Sequence, residues 1–322
     1  ALEKIGLLSK LESKMKVINT IEVYSLNNLR KLTTLPINEF IVKNNLTKYY
    51  TASRDVLHRE LLSNVTSCKT KIKYGSKIKS VADFGDKIKI TEKNKHTSIC
   101  DKLIIANGNT GSPLFNRISR SPISNDFKTH RSATKISKFP FKLAKDTIYL
   151  FFGRGIHIVI YPYFEDLVNI VMIKKDNIDK AILENQRNIE KSIINFLNDL
   201  QWNSWPLYDS RIKLNLDTRR PIFAIGDTAH SIKPHLAQGA SMALEDAYTL
   251  GRMIGERNTI EAVHLSMDNR KERINRVIRN SNLNRQIFHA SPIISIFRDF
   301  YLKKTDGYGQ LNNLKWLYGH KV

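Results

Sequence analysis

Across 322 residues, 52 Lys and Arg outnumber 30 Asp and Glu, a formal charge of +22, with 41% apolar and 25% charged side chains. The length allows one large or two ordinary domains, and the composition is globular, which excludes a disordered or fibrous chain. No apolar run reaches the ~18 residues of a membrane span, no signal peptide is visible, and two unclustered cysteines, Cys68 and Cys100, offer no zinc spacing and fit a reducing compartment.

In chain order, Leu2, Ile5, Leu8 and Leu11 recur at helical spacing. Residues 53–62 predict a helix with Ser53 at its N-cap and Val56, Leu57, Leu61 and Leu62 on its buried face. Residues 87–91 alternate in period two, as in a half-exposed antiparallel strand. Leu103, Ile104, Ile105 and Ala106 form a continuous apolar run, expected to be a strand buried on both faces. It ends in the turn signal Asn107-Gly108-Asn109. Residues 147–173 predict a three-strand antiparallel meander whose first two strands join at Gly153-Arg154-Gly155. A helix is expected over 185–200, with Ile189, Ile193, Ile194 and Leu197 on one side. After a strand at 221–226 the chain turns helical: a small-residue helix over 239–255, a long basic helix over about 258–289, and another from Pro292. The order predicts an α/β nucleotide-binding domain with an inserted antiparallel sheet. Its parts are 1–110 and 206–257 for nucleotide binding, 111–205 for the inserted sheet, and 258–322 for a C-terminal helical segment.

The segment from Pro221 to Ala247 carries most of the chemistry. A glycine at a strand end, Gly226, lets a ligand approach the backbone. The following Asp227 can accept hydrogen bonds from sugar-like hydroxyls. Pro234 then leads through Gln238 to Gly239, where a helix with Ala240, Ala243 and Ala247 leaves room for a flat ligand. Its first N–H groups and positive dipole end suit a negatively charged ring. His157 and Tyr161, four apart on the middle meander strand, share one face. Imidazole has the ordinary pKa of a base at neutral pH. Plainer readings stand beside these: a capping turn aspartate, packed sheet side chains, a surface Arg54 and a simple Asn-Gly turn.

The stretch from Gly226 to Ala247 resembles the GD motif of the FAD-dependent aromatic hydroxylases, the class A flavoprotein monooxygenases. Trp205-Pro-Leu-Tyr-Asp209, Ala237-Gln-Gly-Ala240, Met242-Ala-Leu-Glu-Asp246 and the terminal Trp316-Leu-Tyr-Gly319 resemble the salicylate hydroxylase-like branch. The resemblance implies a Rossmann-like FAD-binding domain with an inserted antiparallel-sheet substrate domain and C-terminal helices. It implies a monooxygenase that uses NADH or NADPH, FAD and O2 to hydroxylate a phenolic or aromatic acid through a flavin C4a-hydroperoxide. On this resemblance, Gly226 and Asp227 hold the FAD ribityl chain. Gly239, Ala240 and Ser241 face the flavin pyrimidine edge, Pro234 lies near its reactive carbon, and Arg54 contacts the FAD side. His157 and Tyr161 bind the substrate and help ionise its phenol, and Gln238 orients it. Asn107 and Gly108 fall where the family has Asp-Gly for FAD and nicotinamide dinucleotide; an amide keeps a hydrogen bond but not the charge.

No G-x-G-x-x-G fingerprint occurs, and residues 1–8 resemble the segment just beyond that unit, so the N-terminal βαβ unit is expected to be missing from this sequence. A truncated, non-catalytic remnant is therefore the alternative expectation. The positive charge is spread along the chain without a recognised nucleic-acid module, while Lys, Asn and Ile are all abundant. No specific nucleic-acid or membrane partner is expected. A small aromatic acid and O2 are the expected partners, with a homodimer left open and a cytoplasmic location.

Overall fold

The computed structural model describes residues 1–108, 127–175, 191–207, 221–256 and 259–320. Its early strands are β1 (Lys16–Val17), β2 (Thr20–Ser25), β3 (Lys31–Leu35), β4 (Tyr50–Thr51), β5 (Ile78–Phe84), β6 (Lys87–Glu92), β7 (Thr97–Cys100) and β8 (Leu103–Ile105). The later ones are β9 (Phe127–Lys135), β10 (Thr147–Gly153), β11 (Ile156–Phe164), β12 (Leu167–Lys175), β13 (Asn203–Pro206) and β14 (Ile222–Ala224).

Period-two patterning builds one seven-stranded sheet in the order β13-β9-β12-β11-β10-β2-β3. Neighbours are antiparallel except the parallel β10–β2 pair. The predicted meander is β10, β11 and β12, with His157 opposite Phe152 on one side and Ile173 on the other. β2 and β3 come from the first hundred residues yet extend this sheet.

Strand alternation sorts β11 into two faces. Ile156, Ile158 and Ile160 enter the main core with Phe139, Phe151, Ile170 and Met172. The helix Lys191–Asn198 covers that face with Ile193 and Leu197, as its spacing predicts; residues 185–190 of the expected helix lie outside the described residues. Ile158 is 2% exposed. Ile158→Ala is expected to cost ~2–5 kcal/mol, read as a lower urea midpoint at unchanged slope. The other face carries His157, Val159 and Tyr161, and it is this face that meets the C-terminal helices.

The apolar run 103–106 does not form a strand buried on both sides. Ile105 is buried but Ile104 is 45% exposed, because among the described residues β8 pairs on one side, in parallel with β14. The helix Arg54–Ser67 forms as expected, with Ser53 in extended N-cap geometry but making no side-chain cap bond. Its predicted buried face is half-covered: Val56, Leu57, Leu61 and Leu62 are all intermediate in exposure. The long helix Ile260–Phe288 and the helices Pro292–Lys304, Gly307–Asn312 and Lys315–Tyr318 complete the C-terminal part. No helix among the described residues is long and apolar enough to cross a membrane.

Candidate functional site

Parallel pairing of β8 and β14 brings two turns to the same carboxyl edge, the usual ligand position in α/β folds. Asn107-Gly108 leaves one strand and Gly226-Asp227 leaves the other. Gly108 N–H donates to Thr228 Oγ1 at 2.8 Å, and that hydroxyl donates to Asn107 Oδ1 at 3.2 Å. The asparagine thus ties the two turns together. The third residue of its turn signal, Asn109, lies outside the described residues.

Gly226 has φ +58°, and a Cβ there would stand 3.1 Å from Ala243 Cβ. Only glycine suits that backbone and that close helix approach. The turn Gly226–Thr228 leaves Asp227 exposed, with its Oδ1 3.9 Å from where a Cβ on Gly239 would lie. The carboxylate therefore stands over the first residue of the helix Gly239–Glu256. Partial desolvation raises its pKa, against an opposing pull from His230. The N–H groups of Gly239, Ala240 and Ser241 precede the first intrahelical bond, Met242 N–H to Gln238 O. They form the open donor end of the helix. Gln238 itself is buried.

Pro234 opens a single turn, Pro234–Leu236, ahead of that helix. Ala237 then takes φ +52°, a left-handed backbone that a residue with a Cβ adopts at a cost. The long helix holds this loop from its own side chains. Ser281 Oγ donates to Lys233 O at 2.7 Å, and Asn284 Nδ2 donates to His235 O at 3.2 Å.

The face of β11 meets the loop through His157. Its ring lies 5.3 Å from that of His235 and 4.8 Å from that of His289, with His157 Nδ1 and His289 Nε2 2.7 Å apart in a hydrogen bond. Burial, then His289 and His235, push the His157 pKa well below the ordinary imidazole value. It is neutral throughout the neutral pH range rather than poised at its usual pKa. Tyr161 shares the face but packs beside Tyr49, Ile18 and Phe40 in a second core, and burial raises its phenol pKa. Arg54 is exposed at the start of its helix, and among the described residues no hydrogen bond or ion pair joins it to the others.

Beneath the turn runs a buried ionic network that sequence reasoning did not assign. Fully buried Asp246 accepts from Gly226 N–H at 3.0 Å and Arg270 Nε at 2.6 Å, and it pairs with His230 Nε2. Glu245 pairs with Arg270 at 3.0 Å and Arg273 at 2.8 Å. Arg273 also donates to the carbonyls of Trp316 and Leu317. The adjacent acids and two arginines three apart on one helix were the available signal. Burial alone would raise the Asp246 pKa, but His230, the Gly226 N–H and Arg270 together hold it below the ordinary carboxylate value. Glu245 is likewise lowered by Arg273 and Arg270 against burial.

These depressed pKa values stabilise the fold above the ordinary unfolded carboxylate pKa of about 4, and that stability is lost as pH falls through the lower native values. Urea midpoints of Glu245→Gln are thus expected to converge on the unsubstituted chain's in acid. Arg270→Leu, which removes the arginine shared by Asp246 and Glu245, is expected to cost ~3–5 kcal/mol at neutral pH.

Comparison with known proteins gives this geometry a context. No protein-family model matches the chain. It is 45% identical over 85 residues to 6-hydroxynicotinate 3-monooxygenase of Bordetella bronchiseptica, covering 26% of this chain and 22% of that one. It is 30% identical over 122 residues to 3-hydroxybenzoate 6-hydroxylase of Klebsiella oxytoca, covering 37% of this chain and 30% of that one. These matches thus span less than a third of those curated relatives. A structure of a point variant of Klebsiella pneumoniae HpxO complexed with FAD superposes with TM-score 0.83 at 16% identity, over 98% of this chain and 85% of that one. A salicylate hydroxylase substrate complex gives 0.78 at 14%, over 99% and 85%.

Proposed function

We infer that this chain, which has the fold of the FAD-dependent aromatic hydroxylases and sequence similar to theirs, is an FAD-dependent monooxygenase. It would hydroxylate a phenolic or aromatic acid with O2 and NADH or NADPH. One observation supports the reading most: the paired ends of β8 and β14 bring Asn107-Gly108 and Gly226-Asp227 together beside the open N-terminus of the helix Gly239–Glu256.

The residues fit a flavin. The Cβ-free cradle at Gly226, the exposed but partly desolvated Asp227 carboxylate and the unpaired N–H row at Gly239, Ala240 and Ser241 match the hydroxyls and acceptor edge of such a group. When bound, FAD supplies the redox chemistry that activates oxygen. Everything else falls to the chain. Asp227 accepts from ribityl hydroxyls, and the helix N–H groups donate to the ring's electron-rich edge. Pro234 and the strained Ala237 shape the loop beside the ring and help exclude water. Asn107 and Gly108 fix the turn and offer an amide rather than a charge toward the dinucleotide side.

His157 accepts the ring hydroxyl proton, which makes the substrate ring more nucleophilic, while Tyr161 and Gln238 orient it. Arg54 serves the outer FAD side, reaching it through its free side chain. The division at 110, 205 and 257, a homodimer and a cytoplasmic location belong to the same reading. Light scattering checks the assembly.

The direct test is to titrate the purified chain with FAD. Bound flavin absorbance is expected, followed by substrate-stimulated oxidation of NADH or NADPH with phenolic acids. A protein that stays colourless and leaves FAD fluorescence unchanged would instead favour the non-catalytic alternative.

A further inference from the structure

Three imidazoles from distant parts of the chain converge: His157 of β11, His235 of the Pro234–Leu236 turn, and His289 just beyond the helix Ile260–Phe288. One nitrogen from each lies within 4.8 Å of the others. His157 is 1% and His235 5% exposed. Neither ring nitrogen of His235 has a hydrogen-bond partner. Each buried polar atom left so costs ~1–3 kcal/mol, and such groups in a folded protein call for a partner.

The one bond within the cluster, between His157 Nδ1 and His289 Nε2, uses a single proton. The remaining nitrogen of His289, Nδ1, is buried with no hydrogen-bond partner among the described residues.

We propose that His157, His235 and His289 form a three-histidine site for a borderline divalent transition metal such as Zn2+, with a fourth position open to an anion. A tetrahedral zinc at ~2.0–2.1 Å from each nitrogen sets them ~3.4 Å apart. Binding therefore requires the rings to rotate so that the 2.7 Å pair widens and the wider spacing closes. Three histidines with an open position are a known zinc arrangement.

The charged groups around the cluster explain the fourth position. Arg285 and Lys233 bear on His235, and Arg285 and Lys175 on His289. Arg285 and Lys175 each lie 5.8 Å from the Phe127 ring, and Lys233 Nζ bonds Asn282 Oδ1 at 3.0 Å. This cationic rim disfavours a bare dication and favours one that carries a carboxylate or hydroxide. An occupied site also removes His157 as a proton acceptor. Zn2+ is then a reversible inhibitor of the proposed hydroxylation. That consequence rests on the flavin reading; the site itself does not.

The test uses chelator-treated protein without flavin or substrate. Co2+ is expected to give one equivalent of the intense visible absorption of a tetrahedral site, displaced by Zn2+. His235→Ala and His289→Ala are each expected to weaken metal binding by at least about tenfold, with unchanged circular dichroism. If either fails to fold, His235→Asn or His289→Gln keeps the polar volume and is read the same way. Absence of any Co2+ or Zn2+ uptake up to about 1 mM would overturn the proposal, as would equal affinity in folded His235 and His289 variants. Because flavin is absent, a chain that binds no FAD can still bind metal, so the two readings fail independently.

Discussion

Asp227→Ala protein is expected to bind FAD about ten- to hundredfold more weakly than the unsubstituted chain, since a hydrogen bond to a charged group contributes ~1.5–3 kcal/mol. The carboxylate is exposed and stands over Gly239 without a partner that the substitution would strand. The fold should therefore survive: Asp246, not Asp227, holds the turn through Gly226 N–H. Asp227→Asn, which keeps an acceptor without charge, should fall between the two. Fluorescence titration measures the affinities, and a thermal melt checks that the fold is intact. An Asp227→Ala affinity equal to that of the unsubstituted chain would remove this residue from the flavin site.

His157→Gln is expected to keep its flavin and lose hydroxylation by ~10²–10⁴-fold, the usual worth of a positioned base. Glutamine preserves much of the volume against Phe288, whose ring lies 5.1 Å away, but cannot take the proton. Oxidation of the nicotinamide donor should continue while product formation falls, so the two are measured together. The low pKa of His157 sets the pH behaviour. A base must be unprotonated to act, and this one stays so down to well below pH 6.5. The acid limb of the rate profile should accordingly lie below the ordinary imidazole range. Normal product yield in the His157→Gln protein would show that the ring hydroxyl loses its proton elsewhere.

Much of this site was legible because its residues have few alternatives. Gly226 is required by a positive φ and by contact with Ala243, and such demands show directly as a glycine before small helix residues. The meander was legible because alternation marks each strand and short turns force neighbours to pair. What stayed hidden depends on contacts between distant segments. Nothing local to Pro234-His235 or Phe288-His289 says that these rings meet His157. Arg270 resembles any basic residue of a charged helix until Asp246 is buried beneath it. The exposure of Ile104 likewise depends on what pairs beside β8, which an apolar run does not specify.

The parallel pairing of β2 with β10 has a consequence for how the chain assembles. Asn19 Nδ2 donates to Asp146 Oδ2 at 2.8 Å at the mouth of that pair, across 127 residues of sequence. β10, β11 and β12 are joined by short turns and can zip locally, whereas β2, paired locally with β3, must close a very long loop before its other edge is covered. At ~5–20 residues per second of synthesis, β2 waits roughly 6–25 s for its partner to emerge. During that interval Ile21 and Val23, nearly inaccessible in the finished sheet, lie on an unpaired edge. The hairpin of β2 and β3 thus keeps one open edge in the nascent protein until β10 covers it, though it ends as a border of the sheet.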